Sequence, residues 1–431
     1  MIYGYIFMTV MGLATAITLA ELSSAIPEAG GQYVWVAALA PERQHRFLAY
    51  ITAVMSWAGA ACTGASACLA GVELIFDLVL LLKPDYKYER WMGFLGYQAV
   101  NLLILIPSCF ERGLPPTVKG LLTFTGLFLL SLFVGLFAAA DHRVSAKDLF
   151  TGHMNSSGWP SGVAFIIGLN SPNWCYSCLD AIVHIADEIP NPQQNIPRAL
   201  MWTIIIGFPT GLLMIFGLFA NAYDLSKMNS TLTIIYYVFN ESKAAAIAFQ
   251  VALFFSTISA LWGINIWQSR LAWKIGVNKG FPFSGHLSKV VGSPFHTPLW
   301  ALFFSGSFVA LLGFVYLAST TAFSSLIGAG ILFQYGSYMI PIICLLRHGR
   351  RNFAHGPFWY PVLGHISSYI VLAWATVAIV FYCLPFSLPV VASDMNYISV
   401  VIGILVVTTL AFWFTFARKT FKVDRLEVNS Q

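Results

Sequence analysis

The 431-residue sequence predicts an all-α, polytopic membrane protein with about 11 transmembrane helices, and three observations carry that reading. Hydrophobic residues make up 58% of the chain and charged residues 10%, far below the roughly 25% charged content of an ordinary soluble domain. Mean hydropathy is +0.74. Apolar runs of about 20 residues, the length that crosses a bilayer's hydrocarbon core, recur from one end to the other.

These runs fall near residues 2–22, 47–80, 91–110, 119–140, 161–186, 199–221, 244–270, 298–317, 321–346, 362–384 and 396–417. The first has no basic flank, and its apolar run is about twice as long as the core of a cleavable signal peptide, so it reads as a span. With the N-terminus outside, 16 of the 23 Lys and Arg residues, from Arg43 to Arg425, fall on inner loops and the tail, and 7 fall on the outer side. That split satisfies the positive-inside rule. The sequons at Asn155, Asn229 and Asn240 then all lie outside. No Lys/Arg-rich run suggests a nucleic-acid partner. All seven cysteines sit in or beside apolar runs, which argues against a disulfide framework. Cys175-x-x-Cys178 has no partner residues at zinc spacing, so it reads as helix packing rather than a metal site.

After the first span comes Glu21-Leu22-Ser23-Ser24-Ala25-Ile26-Pro27-Glu28-Ala29-Gly30-Gly31-Gln32-Tyr33. Pro27 ends the helix, and Gly30-Gly31 allow a tight turn before an amphipathic stretch expected at the inner interface. The second span is crowded with small residues around Gly64 and Ser66, which permit close approach of neighbouring helices. Two readings stand for it: a helix lining a solute path at Gly64 and Ser66, or tight packing alone.

The fifth run is the most informative. It begins at Ser161, meets Gly168-Leu169-Asn170-Ser171-Pro172 partway, and resumes from Trp174. An unwound backbone at membrane depth survives only where it is buried in protein or lines a wet cavity, and half-helix ends at mid-membrane hold small charged solutes in many transporters. The alternative is a proline-kinked helix with no ligand. Trp174 and Tyr176 flank the break, where aromatic faces either hold a quaternary ammonium or pack the core. Asp180 and His184, four apart, share a helical face, with Asp187 and Glu188 towards the inner mouth. Ionisable residues at this depth are costly and so are functional candidates; a proton relay, an interfacial gate and a structural ion pair all fit Asp180, His184 and Glu188. The following loop, Asp187 to Arg198, carries three prolines and reads as a rigid connector. Ser269-Arg270, Gly328, Gly330 and Gly356-Pro357-Phe358-Trp359 read as punctuation. There is no nucleophile and base pair in a recognisable frame, no phosphate-binding loop and no histidine box, so the sequence reads as neither an enzyme nor a cofactor protein.

Taken in order, the Glu21 to Tyr33 stretch, the Gly168 to Pro172 break, Asp180-x-x-x-His184-x-x-Asp187-Glu188, the Pro190 to Arg198 loop, Ser269-Arg270 and Met395-Asn396-Tyr397 resemble the amino acid-polyamine-organocation transporters. The likeness is strongest to the fungal amino acid/choline permease group and covers nearly the whole chain. It implies two inverted five-helix repeats working by alternating access, with substrate held between the broken first and sixth spans. On that scheme residues 1–160 are the remainder of the first repeat, 161–346 the second, and 347–431 the last two helices and a cytoplasmic tail. The opening span resembles the second helix of the family, so the first helix, which carries half the expected site, is missing. Gly276-Val277-Asn278-Lys279 replaces an Ala-Arg-Asp-like element and puts charge-based gating at that loop in question.

The resemblance therefore implies import of a small nitrogenous solute, an amino acid, GABA or choline, with protons as the coupling ion or by facilitated diffusion. Gly168 to Pro172, Trp174 and Tyr176 would contact it. The plasma membrane is the expected location and the vacuolar membrane the alternative. A truncated, non-transporting relative or a membrane solute sensor is the competing reading; a seven-helix receptor conflicts with the span count.

Overall fold

The computed structural model describes residues 1–110, 114–152, 154–391 and 395–426. In chain order the helices are α1 (Ile2–Ala25), α2 (Gln32–Leu39), α3 (His45–Leu82), α4 (Arg90–Ser108), α5 (Leu114–Ala138), α6 (Ala146–Thr151), α7 (Ser161–Gly168) and α8 (Asn170–Asn173). Two 3-10 segments, Trp174–Tyr176 and Leu179–Glu188, complete the fifth run. There follow α9 (Pro192–Asn221), α10 (Thr231–Val238), α11 (Lys243–Val277), α12 (Ser284–Leu287), α13 (Leu299–Ala318), α14 (Thr320–His348), α15 (Pro361–Phe381), α16 (Ile398–Phe412), a π-helical turn at Trp413–Ala417, and α17 (Arg418–Thr420). Among the described residues, 10 helices are long and apolar enough to cross a membrane. The segmented stretch from Ser161 to Glu188 accounts for the eleventh predicted span.

Burial ranks these helices. In their most apolar stretches α14 is 78% buried and α1 67%, against 17% for α5, α9, α11 and α16. The first two are therefore the centre of the bundle, and the others turn Leu122, Leu127, Ile205, Ile206, Val406 and Val407 outward to the hydrocarbon. α1 packs on α9 and α15, while α3 is clamped between α14 and α11.

Three expectations are corrected. All eight residues of α2 are buried against α3 and α14, so it is not an interfacial amphipathic helix; QYVWVAAL is apolar almost all round, and such a helix goes inside. The connector after Glu188 ends early, because Pro192 starts α9 at a position where its fixed φ suits a helix and its missing N–H costs nothing. Pro197 then lies inside that helix and withholds an N–H from the Gln193 carbonyl; the Ser24 hydroxyl donates to that carbonyl instead, at 2.8 Å. Finally, the fifth run does not unwind at Gly168 to Pro172. Leu169 stays helical at φ −64°, ψ −15°, and Pro172 falls in the first turn of α8, where no N–H is required. The break is at Ser177, which is extended, and Cys178, which is left-handed at φ 64°.

Candidate functional site

A non-glycine residue in the left-handed region is uncommon and costs of order 1–3 kcal/mol unless its surroundings fix it. Gln334 of α14 fixes Cys178. Its Oε1 accepts the Cys178 N–H at 3.3 Å and the Ser177 hydroxyl at 3.0 Å, and its Nε2 donates to Thr63 of α3 at 3.0 Å. One buried amide thus ties the broken segment, α14 and α3 together.

Beside this anchor lies a narrow cavity of about 10 Å³ lined by Gly12 and Thr15 of α1, Asn173, Tyr176 and Ser177 of the broken segment, and Ile331, Gln334, Tyr335 and Tyr338 of α14. Its walls stand so close that little more than a water molecule fits; a larger solute enters only as side chains part. The ring of Tyr335 meets that of Tyr338 at 83° with centroids 6.2 Å apart, forming an aromatic corner. Tyr335 donates to Asn173 Oδ1 at 2.8 Å and accepts from Trp374 at 2.9 Å, while the second Asn173 function reaches Tyr382 at 3.1 Å.

The hydroxyl hydrogens of this lining are committed. Thr9 spends its hydroxyl hydrogen on the Tyr5 carbonyl, so in the 2.6 Å contact between Thr9 and Tyr176 it is Tyr176 that donates. Thr15 donates to Met11, Ser177 to Gln334, Tyr335 to Asn173 and Tyr338 to Asp180. All five lining hydroxyls therefore present lone pairs to the cavity and point their hydrogens into the protein. Such a wall accepts from ammonium N–H or hydroxyl groups and offers a carboxylate little.

Outward of the cavity, Gly168 to Pro172 and Trp174 line a cleft of about 660 Å³ together with Met1, Gly4 and Phe386. Asn170 Oδ1 is buried there without a hydrogen-bond partner. Of the residues singled out in the sequence, then, Gly168, Leu169, Asn170, Ser171, Pro172 and Trp174 share the outer cleft and Tyr176 stands in the inner cavity. Gly64 lies elsewhere, pressed on the Gln268 side chain at the contact of α3 and α11, and half-buried Ser66 borders neither cavity nor cleft.

Inward of the cavity is an ionic latch. Asp180 and His184 are fully buried, with Asp180 accepting from Tyr338 and from Gln32 of α2, each at 2.6 Å. Nearer the mouth Glu188 pairs with Arg270, and Lys274 reaches Glu28 at 2.8 Å and Asp187 at 3.3 Å. These pairs tie the α1–α2 loop and the broken segment to α11. The charges at this mouth sit on the helix itself, one to two turns before Gly276 to Lys279, because α11 runs on to Val277. A second tie joins Glu21 of α1 to Arg350 at 2.8 Å, with the Arg350 guanidinium 4.2 Å over the Trp359 ring. Gly364 lies against that carboxylate, where any Cβ would overlap it.

Sequence reasoning missed Gln32, Gln334, Tyr335, Tyr338, Glu21 and Arg350. A signal for three of them was present: Gln334-Tyr335-x-x-Tyr338 interrupts an otherwise apolar span with polar groups on one helical face.

A bundle of membrane-crossing helices, with a broken one walling a small polar cavity, defines a multi-pass membrane transporter. Over residues 1–407 the chain matches the model of the amino acid permease family and belongs to it. It is 48% identical to the transmembrane transporter swnT of Metarhizium robertsii over 98% of this chain and 85% of that one. The swainsonine transporter swnT of Arthroderma benhamiae is 47% identical, with 98% and 84% covered. A choline transporter of Saccharomyces cerevisiae is 34% identical over the full chain and 77% of its own length.

Proposed function

We propose that this permease imports a small nitrogenous solute by alternating access and proton symport, and that the solute is an organic cation bearing hydroxyl or N–H donors, of which choline is the simplest example. The observation that carries this is the cavity wall: an aromatic corner for a cation, five hydroxyls offering only lone pairs, and no charged side chain in the lining. A zwitterion such as GABA would leave its carboxylate facing acceptors. The choline transporter among the relatives supports the same solute class. Asn170, Trp174 and the Gly168 to Pro172 wall receive the solute from outside; Tyr176, Tyr335 and Tyr338 hold it.

The test is uptake of labelled choline in yeast lacking its own choline transporter, with swainsonine and GABA as competitors. Saturable choline uptake, indifferent to excess GABA, is expected. Tyr335→Leu should raise KM about tenfold, as loss of a cation–π contact worth about 1.4 kcal/mol implies. Uptake of GABA with no competition by choline would overturn the cation reading, and choline binding without uptake would favour a solute sensor.

A further inference from the structure

Asp180 and His184 are the only pair of oppositely ionisable side chains, among the described residues, that are both wholly shut from solvent and in contact. His184 Nδ1 lies 2.9 Å from the Ala29 carbonyl. A carbonyl can only accept, so Nδ1 carries a hydrogen. Nε2 stands 3.4 Å from Asp180 Oδ2 and is buried without a hydrogen-bond partner. With Nδ1–H fixed, a neutral ring would leave the Nε2 lone pair beside a carboxylate in a site closed to water. One further proton, on Nε2, makes the ring a cation at ion-pair distance from that carboxylate. Both Asp180 oxygens already accept, Oδ1 from Tyr338 and Oδ2 from Gln32, so the extra proton is placed on His184.

The surroundings single out this proton. Facing the couple are Gln32 from α2, Tyr338 from α14, the Trp267 ring from α11 at 6.3 Å from His184, Ala29 and Gly31 from the α1–α2 loop, and Cys178 on the broken segment itself. None of these carries a formal charge. The nearest charges, Asp187, Glu188, Glu28, Lys274 and Arg270, are grouped one turn inward and paired with one another. Gly31 makes the approach possible: at φ 56°, its Cβ position would stand 3.0 Å from His184 Cε1.

We infer that the Asp180–His184 couple is the proton-binding site of the transport cycle and that Tyr338 joins it to the substrate cavity. Tyr338 has its ring in the cavity wall and its hydroxyl on Asp180. The couple is loaded while the inner end is latched. An external proton forms the Nε2–H bond, and no other covalent bond changes. Opening the inner end must part the α1–α2 loop from the broken segment, because Lys274 with Glu28 and Asp187 spans these same pieces. That motion takes Ala29 from Nδ1, admits water, and lets the Nε2 proton pass to it on the inner side. Glu188 belongs to the latch and carries no transported proton.

This rests on the import reading, so the experiment has two arms. In proteoliposomes with choline as the probe, exchange at equal concentrations is compared with accumulation driven by an inward proton gradient. Wild type should do both. Asp180→Asn and His184→Gln should lose gradient-driven accumulation while exchange persists at a reduced rate, and Glu188→Gln should keep one proton moved per choline. Accumulation by Asp180→Asn at the wild-type level would overturn the inference. The second arm needs no substrate: potentiometric titration of the purified protein against Asp180→Asn. Wild type should bind one proton more; superimposable curves would overturn the site even if choline proves the wrong solute. Should Asp180→Asn fail to fold, Tyr338→Phe serves. Removing the one side chain that touches both the cavity and Asp180 should lower gradient-driven accumulation while exchange at equal concentrations persists, and wild-type accumulation would refute the link.

Discussion

The inner and outer ends of the bundle are built from different interactions. At the inner end Glu21–Arg350, Glu188–Arg270 and Lys274 with Glu28 and Asp187 join the central helices, and Arg46 caps the final helical turn through the carbonyls of Arg418 and Phe421, each at 3.1 Å. At the outer end the helices are joined by hydrogen bonds: Tyr88 to Tyr316, Arg90 to the carbonyls of Leu317 and Ala318, Trp159 to the Pro385 carbonyl, and Leu388 to the Ser157 carbonyl. The outer cleft is open and the inner mouth is latched. A transporter needs one end to yield before the other, and charged pairs can be released into water at the inner surface in a way that packed apolar groups cannot.

The sharpest way to break this contrast is at Arg350. Replacing it with Ala leaves the Glu21 carboxylate buried and unpaired, which should cost about 3–5 kcal/mol, read as a large fall in the thermal unfolding midpoint of the solubilised protein. Gly364→Ala presses a methyl group into the same carboxylate and should cost about 1–3 kcal/mol by overpacking; an unchanged midpoint would show that α15 can shift away from α1. Lys274→Ala removes two partly exposed pairs, so its effect on stability should be about 1 kcal/mol or less. The informative readout is population. With the other cysteines replaced, alkylation of Cys178 from the inner side should quicken about fivefold, the factor that 1 kcal/mol implies. Arg90→Ala at the outer end should stay within about 0.5 kcal/mol of wild type.

The smallest effect belongs to an outer loop. The Ser226 hydroxyl, with its backbone N–H, holds the Asp224 carboxyl below its ordinary range. A depressed folded value means that its contribution is present above the unfolded pKa and disappears as pH falls through the folded one. Asp224→Asn should therefore lower stability slightly at neutral pH, the difference from wild type closing as pH falls through the folded value. A shift at pH 7 comparable to that of Lys274→Ala would end the contrast between the two ends.

Spans were legible because they follow from local composition. Twenty apolar residues must cross a bilayer as helix, since no other local structure satisfies their backbone there. The residues of the fifth run likewise marked it as the special one, with Trp174 and Tyr176 beside the expected break. What composition could not give was the position of the break. Proline and glycine at 168–172 look like breakers, yet Pro172 is harmless in a first turn, whereas Cys178, a residue with no breaker signature, takes the left-handed conformation because Gln334, 156 residues later, accepts its N–H.

The sequence by itself determined an all-α membrane transporter of the amino acid permease family, with a cluster of ionisable residues following a disrupted helix. Only the tertiary structure decided which polar groups meet. Gln32 joins Asp180, Arg350 finds Glu21, and Tyr335 and Tyr338 turn towards Tyr176 across distances that no periodicity encodes. Helix formation in a membrane is a local consequence of backbone hydrogen bonding, but satisfaction of a buried side chain depends on whichever distant helix happens to pack against it.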